Sequence, residues 1–259
     1  MHINKLFSLE NKCALIIGGG GKIGFSMAEA LGEAGARVYV GSRQKNSYDN
    51  ALEKLRKAGI SAESIRVDQS NESEVNNCLE YIENNYKTPD VVINCGVERP
   101  MTKFFEDSVE NWDLSMNVNA RGLFVVCRTF ANAMAKAGGG SIINVSSIYG
   151  LVAPDPKLYE GTQIQTEPDY PYNKGGMIMF SQYMAAKFAK QKVRVNVVAP
   201  GGFYNNQKEP FYSQYCKKVP MERMAKHDDM KGVAVFLASE ASQYITGVTI
   251  PVDGGFTII

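Results

Sequence analysis

The stretch CALIIGGGGKIG, residues 13–24, places a short apolar run directly before four glycines and the start of an amphipathic pattern. The run CALII is typical of a strand buried in a parallel sheet. Apolar residues then recur at three- and four-residue spacing, which predicts a helix with one apolar stripe facing that sheet: Ile23, Met27, Leu31 and Ala34. Strand, glycine turn and helix in this order are the setting of a dinucleotide-binding turn.

The glycine turn predicts where a pyrophosphate would bind. Residues without a Cβ let the backbone approach the ligand, and free amides at the positive end of a helix favour its charge. We predict contacts from Gly18, Gly20 and Gly24, and from Lys22 and Ile23 in the first helical turn. A turn that only packs the strand on the helix is the alternative, and Lys22 could point to water.

The end of the second apolar run, RVYVG at 37–41, predicts the type of dinucleotide. Ser42 and Arg43 follow it, where NAD-binding proteins carry an acidic residue for the ribose 2′-hydroxyl. A guanidinium can clamp the 2′-phosphate of NADP with two hydrogen bonds, so we expect NADP, with NAD possible. Asp68 is expected to border the adenine. Arg43 could alternatively be an ordinary solvated arginine.

The rest of the chain alternates apolar runs with helical patterns. Further runs are DVVIN (90–94), SIINV (141–145) and VRVNVV (193–198), and longer helical patterns cover about 111–137 and 171–190. This alternation predicts an α/β fold: a single doubly wound Rossmann domain over residues 1–259, with a mainly parallel sheet and helices on both faces. Two long segments, 155–169 and 201–220, break the rhythm and are predicted to be substrate-side loops.

Composition argues against several classes of function. The 28 basic and 27 acidic residues leave a formal net charge of +1 without a basic block, which does not suit nucleic-acid binding. The five cysteines form no CxxC pair and the two histidines stand far apart, so neither a zinc site nor a disulfide scaffold is expected. No run approaches the ~20 apolar residues of a membrane span, and no leader pattern is visible. We expect a cytoplasmic protein with a small-molecule ligand.

A tyrosine and a lysine predict acid–base chemistry. Tyr170 and Lys174 stand four positions apart on a predicted helix, so the ammonium can lower the phenol pKa from about 10. Tyr183 and Lys187 have the same spacing. Only Tyr170 opens a helix after a strand that ends in NVSS, residues 144–147, and we therefore interpret the second pair as structural.

Taken in order along nearly the whole chain, these motifs resemble the short-chain dehydrogenase/reductase family. The glycine turn TGxxxGxG is similar to residues 17–24, NNAG to INCG at 93–96, and the PG turn and closing segment to APGG at 199–202 and ITGVTIPVDGG at 245–255. The resemblance implies a catalytic tetrad and further cofactor contacts: Asn119, Ser147, Tyr170 and Lys174, and Asn94, Gly96, Pro200 and Gly201. Ile17, Lys22 and Ile93 depart from the family pattern.

The resemblance also implies a mechanism. Tyr170 would pass a proton to or from the substrate oxygen, and Ser147 would hydrogen-bond that oxygen as charge develops, while hydride moves to or from nicotinamide C4. Lys174 would hold the nicotinamide ribose, and Asn119 would position a water that links the lysine to solvent. The family further implies a homodimer or homotetramer paired through the helices near 111–137 and 171–190.

The insertion between Ser147 and Tyr170 bears on the substrate. SSIYGLVAPD, YEGT, APGGFYNNQ and RMAKHDD are similar to family members associated with surface-sugar and flagellin-glycan biosynthesis. Four acids and one lysine in 155–169 predict an acidic rim that repels an acidic acyl carrier protein and suits a sugar, although a solvated loop face is the alternative. These residues are Asp155, Glu160, Glu167, Asp169 and Lys157.

Aromatic residues in both long segments predict contacts over the substrate. Tyr159 could stack on a sugar ring. A lid or, alternatively, a subunit contact is predicted from Phe203, Tyr204, Phe211, Tyr212 and Tyr215. A sugar-like carbonyl or alcohol is the first substrate hypothesis. The rivals are a 3-oxoacyl-thioester reductase, a sugar epimerase that passes through a keto intermediate, and a catalytically idle dinucleotide-sensing protein.

Overall fold

The computed structural model describes residues 1–162 and 164–259. At its centre is a seven-stranded sheet in the order β3-β2-β1-β4-β5-β6-β7, and each neighbouring pair is parallel. The strands are β1 Cys13–Ile17, β2 Arg37–Ser42, β3 Ala62–Arg66, β4 Val91–Asn94, β5 Gly140–Val145, β6 Val193–Pro200 and β7 Thr249–Val252. This sheet, with helices on both faces, confirms the predicted doubly wound Rossmann fold.

The helices cover the two faces of the sheet. They are α1 Ile3–Phe7, α2 Lys22–Glu33, α3 Lys45–Lys57, α4 Glu72–Asn85, α5 Val109–Met116, α6 Gly122–Ala137, α7 Asp169–Phe188, α8 Phe211–Lys218 and α9 Lys231–Ala238. Side chains of α2, α3 and α9 fill one core, and those of α4, α6 and α7 fill the other. Along β1, Leu15 faces the second core and Ile16 the first, as the alternation of a strand requires. In the described part of the chain, no helix combines the length and hydropathy that a membrane crossing demands.

The helical pattern predicted at 111–137 is interrupted in the structure. Residues Asn117–Arg121 form a π-turn between α5 and α6, in which the Gly122 N–H donates to the carbonyl of Asn117. A π-turn inserts one extra residue into a helix and often accompanies a functional site. Asn119, a predicted catalytic residue, lies in this turn.

The two long segments that interrupt the predicted pattern pack against each other. The first contains a short 3₁₀ turn, Pro156–Tyr159, and the second contains α8. Leu158 from the first and Phe211 and Tyr215 from the second share a small apolar cluster with Ile148 and Phe256. The first segment also includes Gln163, which lies outside the described residues.

Candidate functional site

The predicted site residues meet at the carboxyl edge of the sheet. Strand order reverses between β1 and β4, and ligands of doubly wound sheets bind in the crevice at such a reversal. Gly18 follows β1, Asn94 ends β4, Ser147 follows β5 and Pro200 ends β6. Because all these strands are parallel, residues scattered over the chain converge on one crevice.

The glycine turn has the backbone that a dinucleotide cradle needs. Gly18 has φ +78°, and a Cβ built on it would lie 2.7 Å from the Gly96 nitrogen. A Cβ at Gly24 would collide with the carbonyl of Gly18, so this glycine lets α2 pack closely on the turn. Gly21 provides no side-chain cap, which leaves the first amides of α2 available to an anion. The turn therefore fits a pyrophosphate.

The other predicted residues of the turn lie in different surroundings. A Cβ at Gly20 would collide with Ser47 of α3, so the absence of a side chain there serves helix packing. Lys22 is exposed on the first turn of α2, and Ile23 is half-buried against the first core. Gly20 therefore packs against α3, which differs from the strand-on-helix packing that the sequence left open as the alternative.

A cavity of about 300 Å³ opens beside the turn and is lined by Gly18, Ser42, Arg43, Asp68 and Gly96. Arg43 does not simply extend into water, because its guanidinium pairs with Glu98 on the opposite wall of the cavity. This pairing raises the pKa of Arg43. Asp68 accepts hydrogen bonds from Ser70, at 2.9 Å from its backbone nitrogen and 2.7 Å from its hydroxyl. The cavity thus presents both a cation and carboxylates to a ligand.

Asn94 and Gly96 lie at the end of β4, between this cavity and the predicted catalytic residues. Asn94 is fully buried and its Oδ1 accepts from the Gly96 nitrogen at 3.3 Å. Within residues 1–162 and 164–259, its Nδ2 has no hydrogen-bond partner, so a buried donor remains available. A Cβ at Gly96 would collide with the side chain of Gln69, which donates to the carbonyl of Val118 at 2.8 Å. Sequence analysis did not single out Gln69.

Tyr170 and Lys174 lie on the first turns of α7, beside the end of β5. The ammonium of Lys174 donates to the carbonyl of Val145 at 2.8 Å and lies 5.6 Å from the centre of the Tyr170 ring. Burial lowers the pKa of Lys174, because a charged amine loses hydration there. Ser146 donates to the carbonyl of Lys174 at 2.8 Å, which fixes this part of α7 to the strand. Ser147 is buried next to it, with its Oγ accepting from the Tyr149 nitrogen at 3.2 Å.

Asn119 approaches the site from the π-turn. Its Nδ2 donates to the carbonyl of Glu98 at 2.7 Å, and its Oδ1 accepts from the Glu98 nitrogen at 2.9 Å. The side chain therefore binds both polar groups of one peptide unit and fixes the strand-end loop to the helix. The structure brings Asn119, Tyr170, Lys174 and the Ser147 segment to one region, while their catalytic roles stay predictions.

The lower part of the crevice is formed by Pro200 and Gly201. The Gly201 nitrogen donates to the carbonyl of Val252 at 3.0 Å, and a Cβ at Gly201 would lie 2.8 Å from the Tyr215 hydroxyl. Tyr215 in turn accepts a hydrogen bond from the Gly202 nitrogen. The turn that the sequence predicted to border the nicotinamide is thus packed directly against α8.

The structure places a cation beside Tyr170, the predicted catalytic tyrosine, and sequence analysis did not identify it. The guanidinium of Arg99 lies 4.5 Å from the centre of the Tyr170 ring, in a cation–π arrangement. Arg99 is exposed to solvent and stands three positions after Gly96. The one signal in the sequence was its position shortly after the INCG motif at 93–96. A single arginine in a loop belongs to no periodic pattern, so nothing else distinguished it.

The predicted acidic rim on 155–169 is wrong, because two of its four carboxylates are buried and a third is paired with a lysine. Glu167 and Asp169 are buried, at 5% and 2% exposure, and Asp155 forms an ion pair with Lys218 of α8. Glu167 accepts from the Phe104 nitrogen at 2.7 Å, so its carboxylate holds a neighbouring loop. Counting charges along a loop overestimated the exposed charge, because these carboxylates are used internally.

The predicted aromatic contacts are also largely internal. Tyr159 packs on Phe211 with ring centres 5.6 Å apart, and its hydroxyl bonds those of Tyr149 at 2.5 Å and Thr166 at 2.7 Å. Phe211 and Tyr215 are buried in the same cluster. Tyr159 is therefore a structural link between the two long segments in this conformation. Tyr183, from the second tyrosine–lysine pair, is exposed on α7 and lies more than three turns beyond Tyr170.

Comparison with known proteins gives consistent matches over the whole chain. A sequence model of the family described as enoyl-(acyl carrier protein) reductase matches residues 20–257. The 5-keto-D-gluconate 5-reductase of Escherichia coli K12 is 30% identical, with 99% of each chain covered. A 3-oxoacyl-[acyl-carrier-protein] reductase of Chlamydia trachomatis is 32% identical, with 95% of this chain and 98% of that protein covered. The crystal structure of a Burkholderia cenocepacia gluconate 5-dehydrogenase with NADP and tartrate superposes over 100% of both chains, with a TM-score of 0.89 and 29% identity.

Proposed function

The chain belongs to the short-chain dehydrogenase/reductase family of oxidoreductases, and on that premise we propose that its substrate is a small polyhydroxylated molecule with a carboxylate. The reaction converts a carbonyl to a secondary alcohol, or the reverse. The single observation that carries the substrate class is the exposed guanidinium of Arg99 over the ring of Tyr170.

Arg99 supports an anionic substrate because, among the described residues, no carboxylate pairs with its guanidinium. Nearby ion pairs join Arg43 to Glu98 and Lys218 to Asp155, and no ion pair within the described residues includes Arg99. A guanidinium can bind a carboxylate with two parallel hydrogen bonds. A carboxylate bound there would hold the rest of a small substrate close to the Tyr170 hydroxyl.

The relatives support the same class of substrate. The E. coli relative is named for a keto sugar acid, and the B. cenocepacia structure holds tartrate, a hydroxylated dicarboxylate. The surface-sugar and flagellin-glycan association suggested by the sequence remains part of this proposal as a possible biological setting, since it also implies a sugar-like substrate. We assign the segments 155–169 and 201–220 to the substrate side. Tyr159 of the first bonds Tyr149, two positions after Ser147, and Tyr215 of the second accepts from the Gly202 nitrogen at the end of β6.

The cofactor we propose is NADP in preference to NAD. The glycine turn with the free amides of α2 fits its pyrophosphate, and Asn94, Gly96, Pro200 and Gly201 would border its nicotinamide half. Arg43, at the cavity wall, would release its ion pair with Glu98 and bind the 2′-phosphate instead. When bound, the dinucleotide supplies or accepts the hydride of the reaction.

The chain's own residues would handle the proton and the substrate oxygen. The Tyr170 hydroxyl exchanges a proton with that oxygen, and the Ser147 hydroxyl donates a hydrogen bond to it. Lys174, held by Val145, keeps a positive charge next to the tyrosine and would hold the nicotinamide ribose. Asn119 would position a water through which protons reach solvent.

The first experiment measures NADPH oxidation with keto sugar acids, neutral keto sugars and 3-oxoacyl thioesters. We expect turnover with a keto sugar acid and its loss in Tyr170→Phe. A hydrogen bond to a charged group contributes about 1.5–3 kcal/mol, so Arg99→Ala should lower kcat/KM for the acid about ten- to hundredfold and leave neutral ketoses nearly unchanged. Arg56→Ala is the matched control, because Arg56 lies near the end of α3 and donates to the carbonyl of Ala62, away from the catalytic crevice.

The other outcomes identify the rival functions. Turnover restricted to thioesters would favour the 3-oxoacyl reductase represented by the C. trachomatis relative. Tight NADPH binding without turnover of any ketone would favour the epimerase or the sensing protein. Equal losses for acids and neutral ketoses in Arg99→Ala would contradict a carboxylate contact.

We also propose a homodimer or homotetramer paired through α5, α6 and α7. Large apolar side chains are exposed on these helices, which supports a covered surface in the assembly: Leu114, Phe124, Met179 and Tyr183. Light scattering after size-exclusion chromatography should give the mass of two or four chains. Met179→Glu should lower this mass, whereas a monomeric wild type would refute the assignment.

A further inference from the structure

We propose that Asp169 is a positioning residue that orients Asn119 through the hydroxyl of Ser115. This inference rests on the proposed function, because it takes Asn119 as part of the proton path. Asp169 directly precedes the catalytic tyrosine, yet its carboxylate points into the protein. Only 2% of the residue is exposed.

The three residues form a buried hydrogen-bonded network between α5 and α7. The Ser115 hydroxyl donates to Oδ2 of Asp169, and Ser115 itself is fully buried. Asn119 lies one turn after Ser115 and donates its Nδ2 to the serine oxygen at 3.0 Å. Asn173, one turn after Asp169, donates its Nδ2 to the same oxygen at 3.1 Å. One hydroxyl therefore links both asparagines to one carboxylate.

The directions of these hydrogen bonds follow from the capacity of a hydroxyl group. A serine oxygen can accept two hydrogen bonds and has one hydrogen to donate. The amides of Asn119 and Asn173 use both acceptor positions, so the hydrogen must go to Asp169. The carboxylate is thus the end of the network, and without it the serine hydrogen loses its acceptor and can turn toward either asparagine.

The orientation of Asn119 depends on this direction. With Nδ2 toward Ser115 and the Glu98 carbonyl, Oδ1 is left to accept from the Glu98 nitrogen. Reversal of the amide would place donor against donor at Glu98 and Oδ1 against the Ser115 oxygen. The Glu98 peptide sets which end of Asn119 faces the strand-end loop. Asp169 reinforces this orientation, because it keeps the Ser115 hydrogen away from Oδ1 of Asn119, and through Ser115 it links the π-turn to α7.

Two features make a buried carboxylate tolerable at this position. Asp169 is the first residue of the 20-residue helix α7, where the helix dipole favours a negative charge. A hydrogen bond from a hydroxyl to a carboxylate is also stronger than one between neutral groups. In the described residues, Oδ1 of Asn173 is buried without a hydrogen-bond partner, while Nδ2 of the same side chain donates to Ser115. The network therefore includes one unsatisfied acceptor.

The test combines kinetics with amide exchange. Displacement of a catalytic group by about 1 Å can cost about hundredfold in rate, so Asp169→Ala and Ser115→Ala should each lower kcat about ten- to hundredfold. The Kd for NADPH should change less than about threefold in the same variants, because the dinucleotide turn is untouched. Asp169→Asn keeps an acceptor for Ser115 and should retain most of the activity. The double variant should be no slower than the slower single variant, because both act through one network.

Hydrogen–deuterium exchange gives a readout that does not need a substrate. Amides of 115–121 should exchange at least about tenfold faster in Asp169→Ala and Ser115→Ala than in the wild type, since the π-turn loses its link to α7. Ser181→Ala is the matched control. Ser181 is a buried serine of the same α7 that bonds Asn144 and Met177, and its removal should leave both kcat and exchange in 115–121 unchanged.

The outcomes separate this inference from the proposed function. If the wild type turns over no substrate, the proposed function fails, and exchange alone decides the linkage of Asp169 to the π-turn. Unchanged exchange in Asp169→Ala overturns the inference whatever the activity. Additive losses of kcat in the double variant, or an equal loss in Ser181→Ala, would also overturn it.

Discussion

At the residue scale, Lys174, a predicted catalytic residue, carries its amine in a buried position that disfavours the charged form. It is 6% exposed and keeps one hydrogen bond, to Val145, and burial lowers its pKa below the ordinary value of 10.5. A buried amine whose charged form is disfavoured lowers the stability of the fold. We interpret this as stability given up for a charge beside Tyr170.

A Lys174→Met variant tests this cost through its pH dependence. Between the lowered folded pKa and 10.5 the unfolded state binds more protons, so wild-type stability rises with pH in that window. The free energy of unfolding of the wild type should therefore rise relative to the variant as pH increases from 7 towards 10. Urea unfolding at several pH values measures this, and a constant difference would contradict it. Turnover by the variant should fall at least about hundredfold at every pH.

Gly18 offers a second test at the same scale. Gly18→Ala should lose about 1–3 kcal/mol from its positive φ and, because its Cβ would also meet the Gly96 backbone, should bind NADPH at least about tenfold more weakly. Gly59→Ala is the control, since Gly59 has φ +76° with no atom within 4 Å of the added Cβ. It should lose stability but keep wild-type affinity in a fluorescence titration. Equal affinity for NADPH in both variants would contradict the assignment of the Gly18 turn to pyrophosphate binding.

The residues that sequence analysis identified share a recognisable local setting. Gly18, Asn94 and Ser147 stand at strand ends, and Tyr170 and Lys174 share a helix face, so pattern and spacing pointed to them. Arg99, Ser115 and Gln69 were missed, because their importance arises from contacts across 20 or more positions with no periodic signature.

At the scale of elements, the segments 155–169 and 201–220 form one unit. Tyr159 packs on Phe211, Gln214 donates to the carbonyl of Glu160 at 3.1 Å, and Lys218 pairs with Asp155. The sequence predicted a lid over 201–220 and a separate insertion. Since the two share an apolar cluster, any movement of α8 should carry the insertion with it.

Phe211→Ala tests this coupling. Removing a buried phenylalanine side chain costs about 3–5 kcal/mol of packing, here confined to the small cluster shared by both segments. Limited proteolysis, read by mass spectrometry, should then cleave both 155–162 and 203–210 faster, with the sheet still protected. Phe105→Ala is the control, because Phe105 is 80% exposed. Faster cleavage in only one segment would show that they move independently.

Elements differed in how well the sequence predicted them. β1 begins and ends where its apolar run does, whereas β3 and β7 lie at the sheet edges, are only partly buried and lack a continuous apolar run. The π-turn had no sequence signal, since Asn117–Arg121 fits the surrounding helical pattern. Edge strands and helix distortions depend on tertiary packing, which local pattern does not report.

At the scale of the whole molecule, the parallel order of the sheet explains why one crevice collects residues from 18 to 201.

The packing of helices on both faces of the sheet determines how reactive the cysteine thiols are. Burial raises the pKa of four thiols to about 12, although Cys95 lines the cavity beside the glycine turn: Cys13, Cys78, Cys95 and Cys127. Thiols with such a pKa are almost entirely protonated at neutral pH and react slowly.

Titration with Ellman's reagent checks this distribution. The native protein at pH 8 should react rapidly at no more than one thiol, that of the half-buried Cys216, and all five should react after unfolding. Cys216→Ser should remove the rapid phase. A second rapid thiol in the native protein would show that the core around the sheet opens more readily than its packing indicates.

The π-turn limits where the chain can change in length. If Asn117–Arg121 closed into a regular α-helix with all its residues kept, the extra residue would rotate all of α6 by about 100° about its axis. Phe130 and Met134, now buried in the second core, would turn away from the sheet. The irregular turn cannot relax unless the downstream helix loses its register with the core. A residue added between this turn and Phe130 would rotate the rest of α6 in the same way, so this part of the helix cannot lengthen without exposing the core.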